Sequence, residues 1–178
     1  TAVEICSTAY YFEDSYDAIT ANAIFADGAA SVLIGMDNSK IAPALYDFES
    51  MLDLDNLEKL GFGYKDGLLK IILNEEVRKL TGPLVKGVVD KILSRNNISK
   101  EDINYWMIHP GGKAVLDNAK DALGIEEEKL RYSRYVLENY GNMSSPSVLF
   151  VLREVINKKR PEKDDKGLLI GIGPGLGV

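Results

Sequence analysis

Between residues 77 and 140 the apolar residues change period repeatedly, and that alternation limits the folds open to the chain. The stretch VRKLTGPLVKGVVDKIL has apolar residues at 77, 80, 84, 85, 88, 89 and 92, which is helical spacing, with Gly82-Pro83 placed to bend or start the helix. ISKEDINYWMI opens with a Ser99-x-x-Asp102 capping pattern and continues as an apolar strand. KAVLDNAKDALG reads as a short amphipathic helix closed by Gly124. EEEKLRYSRYVLENYG reads as another, with acids in its first turn that complement the helix dipole.

The flanking segments extend the same pattern. Residues 2–6 read as a short buried strand, and 30–35 as a small-residue strand after a turn at Phe25 and Asp27-Gly28. Residues 41–54 look weakly extended, and GLLKIIL is a further strand candidate. Apolar residues at 148, 151, 152 and 155 mark a last helix with Pro146 near its first turn. The solvated loop NKKRPEKDDKG then leads into a last strand. Strands alternating with helices predict an α/β fold, a mixed sheet covered by helices.

Charge excludes one class of partner. The 178 residues carry a net charge of −6 with acids and bases interspersed, so no basic face exists to bind nucleic acid. The like-charge triplets Glu126-Glu127-Glu128 and Lys158-Lys159-Arg160 are too short to be tails and suit solvated helix surfaces. No apolar stretch approaches the length of a membrane span. One cysteine, Cys6, forms no internal disulfide and fits a reducing, cytoplasmic setting. With a single histidine it also makes no structural zinc site, so no metal is expected. TAVEIC begins inside an expected strand and GLLIGIGPGLGV stops in apolar residues, so both ends read as cuts in a longer protein.

Three local patterns carry chemistry. His109 ends the strand NYWMI, where α/β folds collect their sites, and Pro110 holds it in extended geometry. Gly111 and Gly112 then let a ligand approach closely, although His109 read alone is more simply a satisfied strand-end side chain. In NYGNMSSP, Asn142, Ser144 and Ser145 stand just before a helix N-terminus. There they serve as ordinary caps, or Asn142 donates its amide N–H to an oxyanion. GIGPGLG lacks the spacing of a dinucleotide fingerprint, and its glycines around Pro174 make a rigid bend suited to a cavity edge.

HPGG, YGNMSS and a terminal GIGPG, in that order, together with VEICS and FADGAA, resemble the type III polyketide synthases of the chalcone and stilbene synthase family. The resemblance runs from residue 3 to 178 and is weak from about 38 to 100. It implies a thiolase-like fold, with residues 1–37 ending an N-terminal half and residues 38–178 forming the C-terminal half. It implies decarboxylative Claisen condensation of malonyl-CoA with an acyl-CoA starter, no separate cofactor, and a homodimer.

On this resemblance His109 and Asn142 are catalytic, with His109 as imidazolium stabilising a cysteine thiolate. Phe25 matches an aromatic gate, while Gly111, Gly112 and Ala114 lie along the pantetheine arm. Ser144, Gly171, Gly173, Pro174 and Gly175 shape the cavity. Tyr10 falls near a position that is threonine in plant members, which implies a smaller or differently shaped cavity. A second gating phenylalanine has no clear match, the register offering Lys70 or Ile71. Cys6 matches a non-catalytic family cysteine, it follows a strand rather than opening a helix, and the nucleophile is expected upstream of Thr1. Rival expectations are a ketosynthase acting on a carrier protein and a non-catalytic acyl-binding protein of the same fold.

Overall fold

The computed structural model describes residues 1–36, 43–159 and 161–178. The expected boundary at residues 37 and 38, and Arg160 of the basic triplet, lie outside the described residues.

The best-packed part is built on β5 (Ile103–Ile108) and β6 (Lys166–Ile170), which run parallel. Trp106 and Ile108 of β5 pack against Val85 and Val89 of α2 (Val77–Asn96) and Leu116 of α3 (Lys113–Leu123), all essentially sealed from solvent. Each such side chain contributes about 1.5–3 kcal/mol by leaving water. Gly82 allows α2 to lie against α3, because a Cβ there would sit 2.8 Å from the carbonyl oxygen of Asn118. Pro83 therefore falls inside a continuous helix rather than starting one.

The turns follow local chemistry. Ser99 and Asp102 form the expected capping box ahead of β5. Gly124 ends α3 in the left-handed conformation, at φ 64°. The acidic triplet does not open an α-helix directly: a 3-10 turn, Glu127–Leu130, precedes α4 (Arg131–Tyr140). α5 (Pro146–Lys159) begins at Pro146, where the missing N–H costs nothing.

The N-terminal third differs from expectation in three ways. β1 (Ala2–Glu4) pairs antiparallel with β2 (Gly28–Ala30), both shorter than expected, and Val3 and Ile5 are exposed rather than buried. Cys6 opens a 3-10 turn, Cys6–Ala9, instead of ending the strand. Between them α1 (Tyr16–Ile24) starts at Ser15, whose Oγ accepts the backbone N–H of Ala18.

β3 (Leu60–Lys65) and β4 (Leu68–Leu73) form an antiparallel hairpin closed by Asp66 and Gly67, both at positive φ. The described strands thus make three two-stranded ladders rather than one broad sheet. The class remains α/β, with helices packed on the strands.

Candidate active site

His109 stands where β5 runs out. Its backbone N–H still donates to Ile170 of β6 at 2.8 Å, so the ladder holds it to its last atom. Pro110 then turns the chain, and the N–H of Gly111 returns to the carbonyl of His109 at 2.9 Å. The side chain is only 7% exposed. Burial pushes its pKa down from 6.5 to about 4, so the imidazole is neutral near pH 7. Among the described residues no side chain gives it a countercharge. The expected imidazolium therefore does not form here without an anion beside it.

Gly111 keeps one edge of that ring open. A Cβ there would lie 3.2 Å from Cδ2 and 3.5 Å from Nε2 of His109.

Asn142 is placed by backbone bonds on both sides. Its N–H donates to Ile24 at 2.8 Å, and its carbonyl accepts from Ala26 at 2.9 Å, which ties the α4–α5 loop to the end of α1. The side-chain Oδ1 accepts the N–H of Ser144 at 2.9 Å, and Nδ2 donates to the carbonyl of Gly111 at 3.2 Å. This is a turn within the loop and not a cap on α5. An N–H needs an oxygen partner, so the Ser144 bond fixes which end of the amide is which. The amide has a second N–H to offer a ligand. Ser144 is held at φ 58°, a costly conformation for a serine, and Gly141 before it at φ 72°.

His109 and Asn142 open on one cavity of about 460 Å³. Phe25, Gly111, Ser144, Gly171, Gly173 and Pro174 also line it. Three expected residues do not. Gly112 stands at the N-cap of α3, Ala114 lies in that helix's first turn, and Gly175 donates its backbone N–H to the carbonyl of Leu60 at 2.7 Å. Tyr10 does not line the cavity either: it is 42% exposed, and its hydroxyl donates to the Phe25 carbonyl at 3.4 Å. Its bulk therefore does not shrink the cavity.

The hairpin supplies a wall of which sequence reasoning had offered only Ile71, as an alternative to Lys70. Leu60, Phe62, Ile71 and Leu73 face the cavity. Ile71 points inward while Lys70, on the opposite face, pairs with Glu13, which resolves the register left open above. The readable signal was Asp66-Gly67 between apolar runs. Glu4 and Ser145 also reach the cavity and are hydrogen-bonded to each other.

The floor is stapled at the C-terminus. Met51 and Val178 exchange two backbone bonds of 2.9 Å, and Gly173 and Gly177 close a tight loop between them. Leu176 within that loop is fully buried at φ 49°.

Cys6 lies outside the cavity lining. Burial, aided by Glu4 and Asp27, raises its thiol to about 11, so it stays protonated. Among the described residues no cluster of three or more His, Cys, Asp or Glu side chains is arranged to hold a metal ion, and no helix is long and apolar enough to cross a membrane.

Comparison with known proteins gives a consistent picture. The sequence profile of the chalcone and stilbene synthases, C-terminal domain, matches residues 62–178. The chain is 29% identical to a Bacillus subtilis (strain 168) protein assigned to the chalcone synthases, covering 98% of this chain and 50% of that protein. It is likewise 29% identical to the 3,5-dihydroxyphenylacetyl-CoA synthase of Amycolatopsis orientalis, covering 97% and 47%. It superposes on the C-terminal type III polyketide synthase domain of Steely1 from Dictyostelium with a TM-score of 0.81, at 27% identity, over 98% of this chain and 50% of that one. The chain spans about half the length of the relatives it matches.

Proposed function

Because the chain belongs to the chalcone and stilbene synthase family, we propose that it is the C-terminal part of a type III polyketide synthase, an acyltransferase that joins malonyl-CoA to an acyl-CoA starter. The observation that carries this reading is the convergence of a buried imidazole and an orientation-locked carboxamide on one apolar cavity.

The chemistry follows from that pairing. A cysteine thiolate supplied from outside this segment takes the starter acyl group and releases coenzyme A. Malonyl-CoA then loses CO2, and the electron pair of the broken C–C bond passes to the thioester oxygen as an enolate. His109 and Asn142 Nδ2 donate hydrogen bonds to that oxygen. Both are neutral donors held in a water-poor site, so they favour charge that appears only in the transition state. The enolate carbon attacks the acyl thioester, and the cysteine thiolate leaves. While that thiolate is free it supplies the anion that lets His109 protonate, and the ion pair ends when the acyl group is loaded and the imidazolium proton leaves on the departing coenzyme A thiolate.

Cys6 does not serve as the nucleophile, being a neutral thiol outside the cavity lining. Phe25 guards the cavity entrance and Ser144 shapes its interior. Both substrates are coenzyme A thioesters, no separate cofactor takes part, and the working protein is a homodimer in the cytoplasm.

The test is thiol-directed alkylation of the natural full-length protein followed by peptide mapping. A rapidly labelled cysteine upstream of Thr1, protected by acyl-CoA, is the expected result. If no cysteine other than Cys6 reacts, or acyl-CoA gives no protection, the synthase reading fails.

A further inference from the structure

Ser133, in the first turn of α4, and Ser147, in that of α5, are both sealed from solvent, and neither lines the cavity. A hydroxyl so placed is costly unless it is bonded. Each of these accepts a backbone N–H from a residue next to His109 or Asn142. Ile108, just before His109, donates to Ser133 Oγ at 3.1 Å, and Met143, just after Asn142, donates to Ser147 Oγ at 2.7 Å. Ile108 and Met143 are themselves buried, so water is no ready substitute.

The two bonds complete a restraint that the backbone half provides. Successive N–H groups of a strand leave on opposite edges. That of His109 goes to Ile170 of β6 at 2.8 Å, so that of Ile108 leaves on the other edge. Among the described strands β5 pairs with β6 alone, and Ser133 supplies the acceptor that a second neighbour would give. Held on both edges, the end of β5 resists rolling about its axis, and the imidazole keeps its bearing. The peptide between Asn142 and Met143 is held in the same way. Its carbonyl accepts from Ala26 at 2.9 Å and its N–H donates to Ser147, so it cannot turn over without breaking both bonds.

Resting on the function proposed above, we infer that Ser133 and Ser147 are positioning residues, which aim His109 and Asn142 at the thioester oxygen without touching substrate.

The experiment measures CO2 release from carboxyl-labelled malonyl-CoA by the full-length protein. Ser133→Ala and Ser147→Ala each remove one oxygen and add no bulk. Each should lower kcat by about 10- to 100-fold, with KM for malonyl-CoA within about twofold of the wild type, because the lost alignment matters most in the transition state. Ser133→Thr and Ser147→Thr keep the oxygen and should recover most of that loss. Val136→Ala is the control, since it empties part of the core on α4 without removing an acceptor. It should lower the urea midpoint and leave kcat within about twofold. Hydrogen exchange at the Ile108 and Met143 amides should be slow in the wild type and fast in the matching alanine variant.

Wild-type kcat in either folded alanine variant overturns the inference. So does an equal loss of kcat in Val136→Ala, which would tie the effect to stability rather than to the two bonds. A folded threonine variant with no recovery, or fast exchange at either amide in the wild type, overturns it also, the latter even if a variant misfolds. No CO2 release by the wild type overturns the functional reading itself, and this inference with it.

Discussion

The backbone N–H of Ser144 donates to Oδ1 of Asn142 at 2.9 Å, and that bond decides which end of the carboxamide is free to act as a donor. With the oxygen occupied, Nδ2 is turned toward Gly111, on the His109 side of the cavity. The same loop is anchored to α1 through Ile24 and Ala26, so the donor arrives already positioned.

Replacing Asn142 by Asp keeps the Ser144 bond and puts a charged oxygen where the donor was. In the full-length protein, CO2 release from malonyl-CoA should fall by about 10²–10³, the cost of losing one oxyanion donor. Circular dichroism should stay unchanged. Undiminished decarboxylation would remove Asn142 from the proposed mechanism.

The buried imidazole makes stability pH-dependent. His109 is neutral in both folded and unfolded chains above pH 6.5. Between pH 6.5 and about 4 the unfolded chain binds a proton that the folded chain refuses, so stability falls as pH drops. The full loss amounts to about 3 kcal/mol. Urea unfolding of the wild type and of His109→Gln from pH 7 to 4 should show the stability difference shifting by that amount against the wild type. Parallel curves would mean the ring is solvated.

Gly141 holds the loop in a shape few residues tolerate. At φ 72°, an added Cβ would also meet Ala26 Cβ at 3.1 Å and the Ile24 carbonyl at 3.2 Å. Gly141→Ala should destabilise the chain by about 1–3 kcal/mol. It should lower decarboxylation as well, since the loop carries Asn142. Chemical denaturation alongside activity checks both, and an unchanged midpoint would contradict this close packing of Gly141 against Ala26 and Ile24.

Cys6 should be chemically quiet. With its thiol raised to about 11 and 8% of the residue exposed, alkylation at pH 8 should be slow in the folded chain and rapid in urea. Mass spectrometry after timed exposure reads the difference. Fast labelling of the folded chain would show that the thiol is neither buried nor neutral.

The sequence carried the helices and strands whose signals are local. The 77–96 helix shows its period, β5 its capping box, and α5 its proline. α1 escaped because its buried residues are the small Ala18 and Ala21, while the larger Ile19 faces solvent. β3 escaped because Gly61 and Gly63 interrupt its pattern. His109 and Asn142 were readable because each sits in a short motif with a mechanical reason for its neighbours. The cavity wall was not, because whether Lys70 or Ile71 faces inward depends on pairing with a second strand. Tyr10 misled for a similar reason: its position near the site in sequence says nothing about where its ring points, and the ring lies outside.

The β3–β4 hairpin has its own evolutionary meaning. Its ladder is held by backbone bonds and a two-residue turn, which are largely indifferent to the side chains facing the cavity. His109 and Asn142 come from other elements, the end of β5 and the α4–α5 loop. Substitutions on the wall can therefore accumulate without disturbing His109 and Asn142. Descendants of such a chain are free to drift in the shape of the cavity wall while inheriting the placement of the imidazole and the carboxamide.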